Sequence, residues 1–253
     1  MYPYVDIGPV RLGTYGICLA AAFLVSWAMF KADLIRHRLS GEMAGAFVVV
    51  GALAGLVGAK LYFLIETAGA MRGGLVRSLL DPSGLSWFGG LILGTAVVCL
   101  LTRIYKIPLL IFLDLCAPTI ALDYAFGRLG CFLAGDGDYG KPTSLPWGLP
   151  FPRGTVPTFE PVHPTCLYET VFAAGLSYFL WRLGGRKRTP GLLAGLYLTA
   201  SGMARFAVEF IKLNPRVFLG MTNPQIVSLL SILAGGLLLF RARAASAPVS
   251  VPQ

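Results

Sequence analysis

The residues of this chain best suited to chemistry are charged side chains inside or at the ends of long apolar segments. Arg128 ends one such segment, and Arg205 and Glu209 stand four residues apart in a later one. An ionised group at membrane depth is costly, so it is by default a functional candidate that needs a partner. A planar guanidinium can bind a phosphate through two parallel hydrogen bonds. Arg128 and Arg205 therefore predict a clamp for a lipid phosphate.

The spacing of Arg205 and Glu209 places both on one face of a helix, where they can pair. Two interpretations stay open: a salt bridge that only holds helices together, or a glutamate that orients a catalytic arginine. Asp114 and Asp123, also in apolar segments, are interpreted as structural partners of a buried arginine or of helix ends. Lys60 is interpreted as a side chain that extends to the membrane interface.

Two polar runs lie between the apolar segments, GRLGCFLAGDGDYGKPTSLPWG at 127–148 and HPTCLYE at 163–169. The glycines of the first run suit tight turns with positive φ, and Asp136 adds a carboxylate. The spacing of its aspartates does not follow a calcium-binding EF-hand loop, so no metal site is predicted. His163 opens the second run, either as part of a helix start or as an interfacial general base.

The five cysteines show no CxxC spacing, which argues against a zinc or redox motif. Cys18, Cys99 and Cys116 lie inside apolar runs, where a free thiol behaves as a small apolar group. Cys131 and Cys166 border the two polar runs and could be neighbours in space. Whether they form a disulfide stays open at this stage.

The composition is that of a polytopic membrane protein, with 56% hydrophobic and 13% charged residues. A crossing needs about 20 apolar residues. We therefore predict an all-α membrane protein of about seven transmembrane helices, with an outward-facing polar loop between helices 4 and 5. The predicted spans are Leu12–Phe30, Gly41–Ile65, Leu85–Leu101, Pro108–Phe126, Cys166–Trp181, Leu192–Ile211 and Gln225–Phe240.

The domain prediction is a single integral-membrane unit over residues 1–253, with the main motifs in a loop region at 127–165. Residues 242–253 are predicted to be a disordered tail. The N-terminus lacks the basic segment with which a cleaved signal peptide begins. No cleaved signal peptide is therefore expected.

Basic residues are more numerous in one set of loops, which includes the RKR cluster at 186–188. Such loops face the cytoplasm, so the N-terminus and both polar runs are predicted to face outward and the C-terminus inward. The net charge of +9 is interpreted as cytoplasmic loop charge and attraction to anionic membrane lipids. No nucleic-acid partner is expected.

These motifs resemble those of the prolipoprotein diacylglyceryl transferases. The run at 127–148 resembles the long diagnostic stretch of that family, and HPTCLYE resembles its HP-x-x-LYE motif. RFAVEF around Arg205 resembles its arginine–glutamate pair, and Tyr15 in GTYGICLAA matches its first-helix tyrosine. GLSWFGGLILG and Asp114 with the following Ala117–Pro118 match its third and fourth helices, so the resemblance covers most of the chain in order.

The resemblance implies transfer of a diacylglyceryl group from phosphatidylglycerol to the lipobox cysteine of a prolipoprotein, on the outer face of the bacterial cytoplasmic membrane. It implies release of glycerol phosphate and no cofactor. Arg128 would hold the phosphatidylglycerol phosphate, and Arg205, oriented by Glu209, would stabilise the leaving phosphate. His163 or Asp136 would help to deprotonate the thiol, whose ordinary pKa is about 8.5. The residue matching the family tyrosine belongs to the same predicted site.

Departures from the family pattern touch polar positions. Phe88 stands where the family usually has histidine, Cys131 replaces an asparagine, and Cys166 replaces a glutamine. Asp136 replaces a glutamate, and one extra residue stands near Gly137. These changes leave open a divergent lipid-modifying transferase on the same scaffold. The alternative from another class is a lipid transporter or flippase, which should show two related halves with interrupted spans; no such symmetry is evident.

Overall fold

The computed structural model describes residues 2–67, 86–185 and 188–246, and seven helices account for most of them. Each helix coincides with one predicted apolar segment, although Leu85, the predicted start of the third, lies outside the described residues. A π-helical stretch, Ala46–Val50, interrupts the second helix. The helices are α1 Thr14–Arg36, α2 Met43–Thr67, α3 Trp87–Ile104, α4 Leu109–Ala134, α5 Thr165–Gly184, α6 Leu192–Val208 and α7 Asn223–Ser246.

Four of the described helices are long and apolar enough to cross a membrane, namely α1, α2, α4 and α7. The apolar parts of α3 and α6 are shorter, and α5 begins with the polar sequence TCLYET. The prediction of a mostly helical membrane protein is confirmed. The number of seven spans stays a prediction.

Two predicted boundaries are wrong because the helices continue further. The motif loop was placed from Gly127, but α4 continues to Ala134, since Leu129, Phe132 and Leu133 prolong its apolar pattern. Arg128 therefore stands on a helix and not in a loop. The disordered tail was placed from residue 242, but α7 continues to Ser246, because ARAAS is rich in alanine, the strongest helix former. Residues 247–253 lie outside the described part of the chain.

The described residues also form three short antiparallel hairpins, one before α1 and two between helices, which the all-α prediction omits. The pairs are β1 Tyr4–Ile7 with β2 Val10–Gly13, β3 Leu149–Phe151 with β4 Thr158–Val162, and β5 Arg216–Phe218 with β6 Met221–Thr222. The β3–β4 hairpin and the β5–β6 hairpin belong to the segments that follow α4 and α6. They hold these segments in a defined shape beside the polar side chains described below.

The chain divides into two compact units, the first comprising Met1–Asp33 with Leu113–Gln253 and the second Leu34–Phe112. In the first unit, the Asp114 carboxylate accepts hydrogen bonds from the backbone amides of Gly191 and Ala194, each at 2.9 Å, and lies 3.8 Å from Arg188 Nε. Such a carboxylate satisfies the free amides at a helix start. The structural interpretation of Asp114 is confirmed.

Asp123 also has a structural partner, but it is a hydroxyl and not an arginine or a helix end. The Ser26 hydroxyl of α1 donates a hydrogen bond of 2.5 Å to Asp123 Oδ1 of α4. Both side chains belong to the first unit. This bond joins the two helices at a point where apolar contacts dominate.

Glycines set the closest helix contacts in both units. In the second unit, Gly58 of α2 and Gly89 of α3 face each other so closely that a Cβ on either would overlap the other's backbone oxygen. In the first unit, a Cβ at Gly235 of α7 would lie 2.7 Å from Thr199 N and 2.8 Å from Gly195 O of α6. Small residues at helix contacts are typical of packing in lipid.

We expect Gly235→Ala to lower the free energy of unfolding by about 1–3 kcal/mol, because the added methyl group has no room and the helices must separate. The matched control is Gly236→Ala, since a Cβ at that neighbouring position meets nothing within 4 Å. The measurement is the midpoint of thermal unfolding of each variant purified in detergent. Equal midpoints for the two variants would contradict this account of the α6–α7 contact.

Candidate active site

Three cations and three carboxylates of the first unit form one connected network, which we call the ion cluster. They come from α4, the segment after it, α5, α6 and the segment after α6, so tertiary folding brings members far apart in the chain to the local pair of Arg205 and Glu209. Their formal charges sum to zero. The members are Arg128, Asp138, Glu169, Arg205, Glu209 and Lys212.

Glu169, near the start of α5, is the centre of the cluster. Its side chain is only 6% exposed, and Oε2 lies 3.0 Å from Lys212 Nζ and 3.6 Å from Arg128 Nε. Oε1 accepts a hydrogen bond of 2.5 Å from the Tyr124 hydroxyl and lies 3.8 Å from Arg205 Nη1. A buried carboxylate is stable only when its lost hydration is replaced by such partners. Glu169 thus sets the separation of the two arginines.

Asp138 is a second shared counter-ion. Arg128 donates a hydrogen bond to Oδ2, and Lys212 Nζ lies 2.7 Å from Oδ1. Burial alone would raise the pKa of Asp138, but the Lys212 hydrogen bond and the nearby positive charges outweigh it and hold this pKa below its ordinary value. Asp138 therefore carries its negative charge throughout the neutral range.

Two glycines give the loop before Asp138 its shape. Gly135 and Gly137 have φ of 62° and 93°, a region that side chains disfavour. The Thr165 hydroxyl then fixes Asp138 by donating a 2.7 Å hydrogen bond to its backbone oxygen. The glycines of the first polar run are therefore turn residues, and they turn the chain so that the carboxylate meets Arg128.

Arg205 and Glu209 form the ion pair that their spacing predicted, with Nη1 and Oε2 2.7 Å apart. Asn214 Nδ2 donates a 2.6 Å hydrogen bond to the other oxygen, Oε1. The Glu209 side chain is completely buried. Both of its oxygens are therefore occupied, so Glu209 is suited to orient Arg205 and not to accept a proton.

Tyr15 and Asp136 lie at the edge of the cluster. Tyr15 of α1 is within electrostatic range of Arg128 and Asp136, and its ring would meet a Cβ at Gly130 at 3.0 Å. Asp136 Oδ1 accepts a 3.2 Å hydrogen bond from the Asp138 amide. These two candidates are thus near Arg128, although neither is one of the six ionised residues.

Cys131 and Cys166 are neighbours, as their positions beside the polar runs predicted. The Cys131 thiol lies near enough to Cys166 and to Asp136 to interact with both. Both cysteines are free thiols and no disulfide joins them. Cys166 also donates to the backbone oxygen of Asp138, with sulfur and oxygen 3.3 Å apart. The two thiols therefore form part of the packing that holds α4, α5 and the glycine loop together.

The described contacts of the His163 side chain are with an aromatic residue and not with the ion cluster. Its Nδ1 lies 3.3 Å from the Tyr168 hydroxyl, and that hydroxyl accepts a 2.8 Å hydrogen bond from Trp147. Its backbone exchanges hydrogen bonds with Gly140 and Lys141. These contacts fit the helix-start interpretation better than the general-base interpretation.

Lys212 stands directly after the predicted span Leu192–Ile211, and no role in the site was predicted for it. The side chain is 1% exposed and contacts both Asp138 and Glu169. A signal was present, because Arg205, Glu209 and Lys212 follow one another at helical spacings of four and three. Glu169 ends the second polar run and Asp138 lies in the first, but neither was among the predicted catalytic or phosphate-binding residues.

An apolar cavity of about 440 Å³ adjoins the cluster. We call it the apolar cavity. Residues of α4, α5, α6 and α7 line it, among them Phe172, Leu176 and Val227, and the lining also includes Glu169 and Arg205. Apolar space beside a guanidinium suits a molecule with a hydrocarbon part and an anionic part.

Asp138, Cys166 and Glu169 place possible metal ligands within 4.8 Å of one another. Both carboxylates already pair with cations, Lys212 with each and Arg128 with each. A divalent cation would have to displace these pairs against the repulsion of the same side chains. The donor set therefore fits a salt-bridge network better than a metal site.

Comparison with known proteins gives consistent matches. The profile of the family "Prolipoprotein diacylglyceryl transferase" matches residues 3–241. Three similar proteins, each named phosphatidylglycerol–prolipoprotein diacylglyceryl transferase, come from Leptospira interrogans, Clostridium tetani and Xanthomonas campestris. Their identities are 29%, 30% and 31% over 85%, 89% and 98% of this chain, and 76%, 91% and 92% of their own lengths.

We expect Lys212→Met to lower the free energy of unfolding by about 3 kcal/mol, because it removes a buried cation from two carboxylates. Adding Asp138→Asn should restore part of the loss, since it removes one of the two negative charges that Lys212 balanced. The control is Lys141→Met, an exposed residue whose ammonium donates a hydrogen bond to the Phe210 backbone oxygen. Thermal unfolding in detergent measures all three, and equal shifts for Lys212→Met and the control would contradict the central role of Lys212.

Proposed function

Because the chain belongs to the prolipoprotein diacylglyceryl transferase family, we propose that it transfers a diacylglyceryl group from phosphatidylglycerol to the lipobox cysteine thiol of prolipoproteins. The observation that carries the proposal is the pair of arginines, Arg128 and Arg205, held around Glu169 beside the apolar cavity. The family favours this transferase over a lipid transporter or flippase.

The reaction needs a thiolate and a stabilised leaving group. The sulfur attacks the glyceryl carbon that carries the phosphate, the carbon–oxygen bond breaks, and glycerol phosphate leaves with the bonding electrons. The thiol proton passes to a base, and the product is a thioether-linked lipid. Charge that develops on the departing phosphate is stabilised most by cations fixed in advance.

The distances within the cluster support the proposal that the arginines bind a phosphate without losing their orientation. Each guanidinium has one close carboxylate partner, Asp138 for Arg128 and Glu209 for Arg205, and one more distant contact with Glu169 at 3.6 or 3.8 Å. A guanidinium has five N–H donors. A phosphate can replace the weaker Glu169 contacts while the close pairs keep both forks in place.

The base is proposed to be Asp136 or His163, and the contacts favour Asp136. Asp136 is within electrostatic range of Tyr15, which is also within range of Arg128, whereas the ring of His163 contacts Tyr168. A carboxylate near the phosphate-binding arginines can accept the thiol proton next to the reacting carbon. Tyr15, as a phenol, is suited to donate a hydrogen bond to the bound substrate.

The proposed setting is a bacterial cytoplasmic membrane that the chain crosses seven times. The N-terminus and the segment between α4 and α5 face outward, and the C-terminus faces the cytoplasm. The predominance of basic residues in the opposite loops supports this orientation. Phosphatidylglycerol of the outer leaflet would then supply the donor, and the lipobox cysteine would approach from the same side.

If Arg128 grips a phosphate, Arg128→Lys should lose most of the transfer activity although its charge remains, because an ammonium lacks the planar fork. The assay follows labelled diacylglyceryl from phosphatidylglycerol to a lipobox peptide. The matched control is Arg243→Lys, on an exposed residue of the last turn of α7. Near-normal turnover of Arg128→Lys would reduce Arg128 to a counter-ion for Asp138.

Variants of Arg205 and Glu209 can distinguish a structural role of this ion pair from a catalytic one. A purely structural pair predicts that Arg205→Met/Glu209→Leu is tolerated better than Arg205→Met, since no unpaired charge stays buried. We expect instead that both are comparably inactive in the same transfer assay while membrane abundance recovers in the double variant. A double variant that regains substantial transfer would remove Arg205 from the chemistry.

A further inference from the structure

A second cavity, of about 350 Å³, also adjoins the ion cluster. We call it the basic cavity, because three cations but one carboxylate line it. Its polar lining comes from the segment after α4, the segment after α6 and the start of α7. The polar residues that define it are Lys141, Glu209, Lys212, Asn214, Arg216 and Gln225.

Two salt bridges connect the apolar cavity with the basic cavity. Arg205 lines the apolar cavity and its partner Glu209 lines the basic cavity, with 2.7 Å between Nη1 and Oε2. Glu169 lines the apolar cavity and its partner Lys212 lines the basic cavity, with 3.0 Å between Oε2 and Nζ. The boundary between the cavities therefore contains two ion pairs, in which an anion can replace a carboxylate as the partner of the cation.

Two of the three cations of the basic cavity, Lys141 and Arg216, have no carboxylate partner among the described contacts. The third, Lys212, pairs with Asp138 and Glu169. Glu209 is the one carboxylate of the cavity, and both oxygens of Glu209 are occupied by Arg205 and Asn214. Lys141 Nζ contacts a neutral backbone oxygen, that of Phe210, at 3.0 Å. Arg216 is exposed on β5. A cavity of this kind attracts small anions.

We propose that the basic cavity binds a small phosphate monoester, the glycerol phosphate that the reaction releases. This inference rests on the proposed function. The diester in phosphatidylglycerol carries one negative charge, whereas a monoester carries about −1.5 to −2 at neutral pH. The cations of the basic cavity therefore hold the product more tightly than the head group from which it comes.

The two cavities thus divide the products by their chemistry. The diacylglyceryl chains stay in the apolar cavity. The released phosphate leaves Arg205, binds Lys212, and then binds Lys141 and Arg216. Movement of the phosphate frees the guanidinium of Arg205 for the next lipid. Glycerol phosphate bound in this cavity should accordingly inhibit the following turnover.

The test is calorimetric titration of glycerol phosphate into the full chain, purified in a detergent with an uncharged head group. We expect Lys141→Gln/Arg216→Gln to weaken binding about tenfold or more, and the exposed control Arg243→Gln to leave it unchanged. Glycerophosphoglycerol, the water-soluble diester, should bind the native chain more weakly than the monoester. Inhibition of transfer by glycerol phosphate should weaken in parallel in the double variant.

Either of two results would overturn the proposal: native affinity in the double variant, or equal affinity of the native chain for monoester and diester. A double variant that loses binding of phosphatidylglycerol in micelles but keeps glycerol phosphate would show a lipid head-group site instead. Failure of the proposed function is separate, because calorimetry does not require turnover. A chain without transfer activity that still binds the monoester through Lys141 and Arg216 would refute the transferase and retain the site.

Discussion

The main constraint on this helical membrane protein is that each buried ionised group must be paired, because burying an unpaired charge costs free energy. Glu169 meets that cost by contacting Lys212, Arg128 and Arg205 at 3.0, 3.6 and 3.8 Å. Without this carboxylate, three cations would repel one another in an environment of low polarity. The positions of α4, α5 and α6, and the segment after α6, all follow from the need to supply its partners.

The polar run at 127–148 contributes to the charge balance of the ion cluster as well as to the proposed catalysis. Gly135 and Gly137 turn the chain back so that Asp138 pairs with Arg128 and Lys212. In the proposed mechanism, the same carboxylate keeps Arg128 oriented when a phosphate replaces its contact with Glu169. A neutral cluster that carries both close and distant pairs can accept an anion with little rearrangement, which suits a site that must bind and release a phosphate in each turnover.

The departures from the family pattern fall into two groups. Cys131 and Cys166 replace two amides, yet they contact each other, and Cys166 still donates a hydrogen bond to the Asp138 backbone. Part of the hydrogen bonding that an amide would provide is therefore retained. Phe88 lies in the second unit beside Tyr62, with ring centroids 6.5 Å apart, so an apolar contact stands where the family has a titratable side chain.

The sequence by itself determined the helices, the membrane class and the Arg205–Glu209 pair, because apolar length and helical spacing are local properties. It also pointed to Arg128, since an arginine among apolar residues is rare. Only the tertiary structure decided that Lys212 is buried and that Glu169 is shared, and it placed His163 with Tyr168. Contacts between residues far apart in the chain depend on how helices pack, and no local spacing encodes which carboxylate meets which cation.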